Sequence, residues 1–242
     1  MDFKNSICYN DGMRYCISDI HGYYNAFCEL MNKIKFGQSD KLYVLGDAID
    51  KGPDSIRLAQ LLFSLPNVQY IAGNHEYDFI KFYKKRMTEV SSNYDEVLFE
   101  MQGYFPDGKL LDWETLDNFE YLPFYIDEKD FIGVHAGALL KGGKVCPLAS
   151  TPNEIFVYDR TFKDRDVLPT DSKCVLFGHT PVRNLTGNDE MLLYRRNGLL
   201  GGSTYIKDYA EIHIDTGVYL SGTLGCICLD TCQCFYVKGV KL

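Results

Sequence analysis

The chain has 242 residues, 46% of them hydrophobic, with 33 acidic against 25 basic residues and a formal charge of -8. Such a chain suits a single globular domain, residues 1–242, with a substantial core. The acidic balance disfavours nonspecific binding to the phosphates of nucleic acid, and no apolar run reaches membrane-spanning length, so neither partner is expected.

The opening residues Met1-Asp2-Phe3-Lys4-Asn5-Ser6 lack the roughly 7 to 15 consecutive apolar residues of a secretory signal. The nine cysteines, an odd number, fall mostly in strand-like segments, as Cys16 and Cys174 do. Reduced, buried thiols in a cytoplasmic protein are the reading that fits both features.

Apolar strand patterns occur at Arg14–Ser18, Lys41–Leu45 and Val68–Ala72. Between them Ala26, Phe27, Leu30, Met31 and Ile34, then Leu58, Leu61, Leu62 and Leu65, recur at helical spacing. Pro53-Asp54-Ser55 supplies the proline and the capping side chain that open the second helix. From Asp78 to Met101 apolar residues step by threes and fours, which predicts one or two amphipathic helices with a break at Ser91-Ser92-Asn93. The stretch of about 77–122, rich in aromatics and acids, is expected to be a helical cap inserted beside a cleft. Strands follow at Phe131–Val134, Cys174–Phe177 and Glu211–Ile214, and Thr151-Pro152-Asn153-Glu154 has the residues of a helix start that would carry Arg160 at its far end. Strand, polar loop, helix, strand is the order of α/β layering, in which ligands bind beyond the carboxyl ends of strands.

Thr223 to Val237 reads as a hairpin turning at Asp230-Thr231. Its four cysteines, Cys226, Cys228, Cys232 and Cys234, then serve as small sheet residues, with zinc binding as the lesser alternative.

Four of the five histidines sit beside a glycine directly after an apolar run: Asp19-Ile20-His21-Gly22, Gly73-Asn74-His75-Glu76, His135-Ala136-Gly137 and Gly178-His179-Thr180. Gly46-Asp47-Ala48-Ile49-Asp50 follows the same rule with carboxylates. Asp19 and His21, two apart past a strand, would point the same way toward one cation. Asp47 has two oxygens with which to bridge two cations, and Asn74, His135 and His179 would complete a second site. Oxygen and nitrogen donors suit Mn, Fe or Zn. One such histidine alone would be a structural residue; the set points to a two-metal centre.

Asp-x-His-Gly, Gly-Asp-x-x-Asp-x-Gly, Gly-Asn-His-Glu, His-Ala-Gly and Gly-His-Thr, in this order from about Met13 to Gly217, resemble the PPP-type metallophosphoesterases. The chain is most similar to small bacterial and phage serine/threonine phosphatases and to symmetrical dinucleoside tetraphosphatases. The resemblance implies a four-layer fold, two mixed β-sheets packed as a sandwich and flanked by helices. It implies two divalent metal ions, manganese first with Fe/Zn or a mixed pair open. Asp19, His21 and Asp47 would hold one ion; Asp47, Asn74, His135 and His179 would hold the other. His75 would face the leaving group as general acid, paired with Asp50, while an activated hydroxide attacks in line.

The resemblance also implies that Arg160, with Arg165 as its competitor, and the residue at position 51 hold phosphate oxygens. The family generally has arginine at that position; Lys51 keeps the charge without the bidentate fork, so phosphate should be held more loosely. His213 alternates with apolar residues and is not expected to be a ligand, and Asp215 either forms a turn or orients a site group. The implied activity is phosphomonoester hydrolysis, first on phosphoserine and phosphothreonine in proteins, with phosphotyrosine also open, or on small phosphate esters. Symmetrical hydrolysis of diadenosine tetraphosphate is the alternative, and Asp50, which that branch generally lacks, tilts toward monoesters. An inactive phosphate-binding module is the third reading.

Overall fold

The computed structural model describes residues 12–89, 94–160, 168–170 and 173–240. Strands β1 (Arg14–Ile17), β2 (Lys41–Val44) and β3 (Val68–Tyr70) alternate with helices α1 (Tyr24–Ile34) and α2 (Ser55–Ser64). Next come α3 (Asn74–Glu89), α4 (Tyr94–Gln102) and α5 (Trp113–Glu120), then β4 (Tyr125–Asp127), β5 (Phe131–Val134) and the two-residue strands β6 (Leu140–Lys141) and β7 (Lys144–Val145). The chain continues through α6 (Asn153–Tyr158), β8 (Cys174–Phe177), α7 (Arg183–Thr186), β9 (Leu192–Arg195) and β10 (Tyr209–His213). It ends with α8 (Val218–Ser221), β11 (Leu224–Cys228) and β12 (Cys234–Val237).

These strands form two mixed five-stranded sheets, in the orders β12-β11-β1-β2-β3 and β4-β5-β8-β10-β9. In the first, β1, β2 and β3 run parallel, with Ile17 beside Val44 and Val44 beside Tyr70. In the second, β5, β8 and β10 run parallel, with Gly133 beside Leu176 and Leu176 beside Ile212. The parallel strands are buried on both faces, and their apolar residues sort by alternation. Cys16, Tyr43, Leu45 and Ile227 from the first sheet meet Phe131, Leu176, Ile212 and Ile214 from the second in the layer between them. Ile17, Leu42 and Val44 point outward onto α1 and α2, and Val134, Val175 and Phe177 point outward onto Phe156 and Val157 of α6. The result is the four-layer α/β arrangement, helices outside two packed sheets. No helix among the described residues is long and apolar enough to cross a membrane.

The segment expected as a cap is helical, and its Phe79, Tyr83, Met101, Leu116 and Phe119 share one apolar cluster with α1 and α2. The break expected at Ser91-Ser92-Asn93 lies outside the described residues, between α3 and α4. Two helix starts differ from the capping pattern. Asp54 makes no capping bond at α2; Asp107 Oδ2, brought in from the segment before α5, accepts from Ile56 N at 2.9 Å and Arg57 N at 3.1 Å. At α6 the capping position is Pro152, and the Thr151 hydroxyl donates to the Pro147 carbonyl instead. A side chain fifty residues away cannot be read from local spacing.

The hairpin turn falls between β11 and β12, as the sequence pattern predicts. Cys226 and Cys228 face the α1 side while Cys232 and Cys234 join the layer between the sheets, so the four sulfurs cannot surround one zinc ion.

At the end of β1 away from the motif loops, Arg14 fastens the two sheets. Its guanidinium donates to Asp130 Oδ1 and Oδ2 at 2.9 and 2.8 Å and to Asp230 Oδ1 at 2.9 Å, with side-chain exposures near 30% on all three residues. The hydrogen bond from Arg14 holds the Asp130 carboxyl below its usual value. Its stabilisation is therefore complete above the unfolded value of about 4 and fades as pH falls through the lower folded one. Arg14→Met should cost about 1 to 2 kcal/mol at neutral pH in urea unfolding. That difference should shrink below about pH 4, and a pH-independent cost would contradict the assignment.

Candidate dinuclear metal centre

Every motif residue leaves the carboxyl end of a parallel strand: Asp19 and His21 after β1, Asp47 after β2, Asn74 after β3, His135 after β5 and His179 after β8. Because these strands are in register within each sheet and the sheets are stacked, the six side chains meet at one edge of the sandwich. Asp47 lies at the centre, 2% exposed. Its Oδ2 is 3.8 Å from His21 Nε2 on one side and 3.4 Å from His135 Nε2 on the other. Asp19 Oδ1 completes the first side at 3.9 Å from His21 Nε2. On the second, His179 Nδ1 is 2.8 Å from Asn74 Oδ1 and 3.2 Å from His135 Nε2, which is 3.0 Å from Asn74 Oδ1.

Donors that share a cation at about 2.0 to 2.2 Å stand roughly 3 to 3.5 Å from one another, which the second group matches closely. The first is wider, with Asp47 and Asp19 oxygens 3.8 and 3.9 Å from His21 Nε2, and the histidine grouped there with His21 and Asp47 is His75. For two of the three ring ligands the nitrogen turned away from the site is occupied: His21 Nδ1 lies 3.0 Å from the Ile49 carbonyl and His135 Nδ1 2.8 Å from the Leu45 carbonyl, while His179 Nε2 is buried without a partner among the described residues. Each of these contacts orients its ring and leaves the other nitrogen for a cation. The charge balance agrees. Burial lifts the Asp19 carboxyl to about 6, and although burial alone would lower His135, Asp47 carries it up to about 10. Two carboxylates held this closely call for positive charge, and the residues fit a pair of divalent ions.

Convergence depends on unusual backbone. Strand alternation predicts that Asp19 and His21 point the same way, but both residues are left-handed, at φ 53° and 50°, and that turn is what swings them to one cation position. Asp47, Asp50, Lys51 and His179 are left-handed too, so six of the eight non-glycine residues with positive φ among those described belong to this site. Such conformations cost roughly 1 to 3 kcal/mol each and persist where surrounding contacts over-determine them. Close approach needs glycine at two positions. A Cβ on Gly46 (φ 82°) would come 2.4 Å from Gly73 N, and one on Gly178 would come 2.1 Å from Asp19 Oδ2.

Glu76 has no role in the sequence reading, and the structure supplies one. Fully buried, it accepts hydrogen bonds from the backbone N–H of Asp47 and Gly73 at 2.8 Å, of Ala48 at 2.9 Å and of Ile49 at 3.2 Å, and from the Tyr70 hydroxyl at 2.7 Å. One carboxylate thus fixes the loop that aims Asp47. Burial and the nearby Asp47 raise its pKa, while the donors pull the other way. The only sequence signal was its place in Gly-Asn-His-Glu.

The remaining predicted residues fall at the same edge. His75 Nδ1 is 2.7 Å from Asp50 Oδ2, and its Nε2 faces the centre, 3.8 Å from Asp47 Oδ2. Lys51 Nζ reaches His21 Nε2 at 2.9 Å. Arg160 is exposed beyond α6, and its charge is felt at His179, whose pKa falls to about 3 through burial, His135 and Arg160. Arg165 lies outside the described residues. His213 is not at the centre: it is buried on the outer face of the second sheet against Phe177 and Tyr194, with Nε2 3.2 Å from Glu211 Oε1. Asp215 forms the turn, accepting from Gly217 N at 2.8 Å, and is close enough to Asp19 for that charge, after burial, to raise its pKa.

Glu76→Gln replaces an acceptor of five donors by an amide that turns N–H toward N–H. It should lower stability by at least about 2 kcal/mol in urea unfolding and weaken manganese binding by about 10- to 100-fold in calorimetric titration. Unchanged manganese affinity would show that Asp47 is held by other contacts.

Known proteins match this description. The symmetrical bis(5'-nucleosyl)-tetraphosphatase of Buchnera aphidicola subsp. Acyrthosiphon pisum (strain 5A) is 35% identical over 143 residues, 55% of this chain and 49% of the relative. That of Neisseria meningitidis serogroup A is 32% identical over 129 residues, 52% of this chain and 43% of the relative. The chain thus spans about half the length of the curated relatives it matches. Among solved structures, a putative diadenosine tetraphosphatase aligns with TM-score 0.64 and 19% identity, over 96% of this chain and 95% of the other. A protein serine/threonine phosphatase from Saccharomyces cerevisiae aligns with TM-score 0.58 and 15% identity, over 96% and 81%. At such identities these likenesses bear on the fold alone. The sequence profile of the calcineurin-like phosphoesterases matches residues 15–217, which span every candidate ligand, and the chain belongs to that family.

Proposed function

We propose that this chain hydrolyses phosphoric esters and anhydrides at the Asp47 centre, with His75 giving a proton to the departing oxygen. The contact that carries this reading is the 2.7 Å pair between His75 Nδ1 and Asp50 Oδ2, which leaves Nε2 turned toward the centre. Burial lowers the His75 pKa, but the Asp50 hydrogen bond and the Asp47 charge outweigh it, so the proton-bearing form is favoured.

Asp19, His21 and Asp47 would hold one divalent ion, and Asp47, Asn74, His135 and His179 the other. We favour manganese, with Fe/Zn or a mixed pair fitting the same donors. When bound, such a pair lowers the pKa of water toward about 7 and neutralises charge on the phosphoryl group. Lys51 and Arg160 would hold phosphate oxygens, and the left-handed backbone at Asp50 and Lys51 fixes acid and cation side by side.

Two phosphate carriers fit. The name shared by the curated relatives supports a dinucleoside tetraphosphate, cleaved symmetrically, better than the phosphoprotein favoured from sequence, and we place it first. Asp50 favours the second, a phosphomonoester such as phosphoserine or phosphothreonine in a peptide. An alkoxide leaves poorly unless protonated, whereas a nucleoside diphosphate departs as a stable anion, so a well-held acid matters most to the monoester.

Under one manganese concentration, diadenosine tetraphosphate should exceed a phosphothreonine peptide in kcat/KM by at least about tenfold, equivalent to about 1.4 kcal/mol in transition-state binding. The reverse ratio would establish the monoester. No turnover of either, or of p-nitrophenyl phosphate, above an Asp47→Asn control would leave a phosphate-binding module. His75→Asn should lower kcat on alkyl phosphates by about 10² to 10⁴, and much less on p-nitrophenyl phosphate, whose leaving group needs no proton. Equal losses on both would remove the proton-donor role. Because Asp50 raises the His75 pKa, Asp50→Asn should move the alkaline limb of the alkyl-phosphate pH profile to lower pH.

A further inference from the structure

The last sequence motif, Ile212-His213-Ile214-Asp215-Thr216-Gly217, contributes none of the six ligands, yet its backbone is tightly held. Gly217 N–H donates to Asp215 Oδ1 at 2.8 Å, and the Thr216 hydroxyl donates to the Thr223 carbonyl at 2.8 Å. Gly217 and Gly222, both left-handed at φ 68° and 69°, bracket the single turn of α8. What this turn brings to the site is Tyr219. Its ring face lies 3.8 Å from the Lys51 ammonium, and its ring stands edge-on to His21 at 5.2 Å and 87°.

We infer that Tyr219 is a positioning residue: its ring holds the Lys51 ammonium over the site and so sets how firmly phosphate oxygens are gripped. This rests on reading the centre as a phosphate site. A lysine has four rotatable stem bonds and a point charge, so it lacks the fixed fork with which an arginine grips phosphate. An aromatic face within about 6 Å attracts the ammonium and narrows its range. Lys51 is already directed inward by its left-handed backbone (φ 65°) and by its N–H, which donates to Asp50 Oδ1 at 2.9 Å. Among the described residues the side chain then touches two groups, Tyr219 and His21 Nε2. With a cation on that nitrogen, Tyr219 is the contact that keeps the ammonium at the site. The looseness expected of a lysine at this position is thus countered by an aromatic residue from the opposite end of the chain.

A double-mutant cycle on manganese-loaded protein tests the clamp, with inorganic phosphate as the probe in calorimetric titration. Tyr219→Leu should weaken phosphate by about tenfold and raise KM for p-nitrophenyl phosphate to a similar extent, with kcat within about threefold. Tyr219→Phe, which keeps the ring, should stay within about twofold of the parent. In a Lys51→Met background Tyr219→Leu should cost almost nothing further, which isolates the pair. Manganese affinity, titrated separately, should be unchanged by Tyr219→Leu, as a role limited to packing His21 would not allow. Unaltered phosphate affinity, an equal loss in the Lys51→Met background, or a loss that tracks manganese affinity would each overturn the inference. Should the parent protein turn over no ester, the hydrolytic reading fails while the phosphate titration still reports on the clamp.

Discussion

Asp47 places a carboxylate, nearly sealed from solvent, between His21 Nε2 and His135 Nε2, and a charge so buried persists only beside opposite charge. Much of the surrounding structure answers that demand. Glu76 gathers the backbone donors of the loop after β2, so Asp47 cannot swing toward water. The left-handed residues store conformational energy that the three apolar clusters of the sandwich can offset, because the strands delivering these loops are buried on both faces. The candidate cation site and the two-sheet architecture are therefore linked: at the edge where parallel strands end, five short loops bring six side chains to a common point.

The split between the two sheets has a chemical counterpart. The first sheet delivers Asp19, His21, Asp47 and Asn74, together with His75, the proposed proton donor, and its partner Asp50. The second sheet delivers His135 and His179. Asp47 and Asn74 reach across to donors of the other sheet, so the candidate second cation position straddles the sandwich. Any loosening between the sheets should be felt there first. Arg14, whose guanidinium ties β1 to Asp130 just before β5, joins the sheets at the end far from the site.

Features set by short-range chemistry were legible in the sequence. Apolar runs place β1, β2, β3, β5, β8 and β10 to within two residues, and the glycine-flanked histidine and carboxylate motifs mark the six candidate ligands because each follows such a strand. What escaped depends on contacts distant along the chain. Asp107 caps α2, Tyr219 covers Lys51 and Arg14 meets Asp130, and none of these pairs lies on one element. The reason Asp19 and His21 converge was also misread: an extended strand end predicts it by alternation, while the structure achieves it with positive φ, which no side-chain pattern announces. Glu76 was visible as a letter in a motif, but its burial under the Asp47 loop follows only once β2, β3 and α3 are packed together.

Crystals soaked in manganese and measured for anomalous scattering test most directly whether Asp47 is shared by two cations. Two peaks about 3.5 to 4 Å apart are predicted, one against His21 Nε2 and one among Asn74, His135 and His179, with Asp47 between them. A single peak at saturating manganese, or Asp47 turned away from both, would rule out a shared carboxylate.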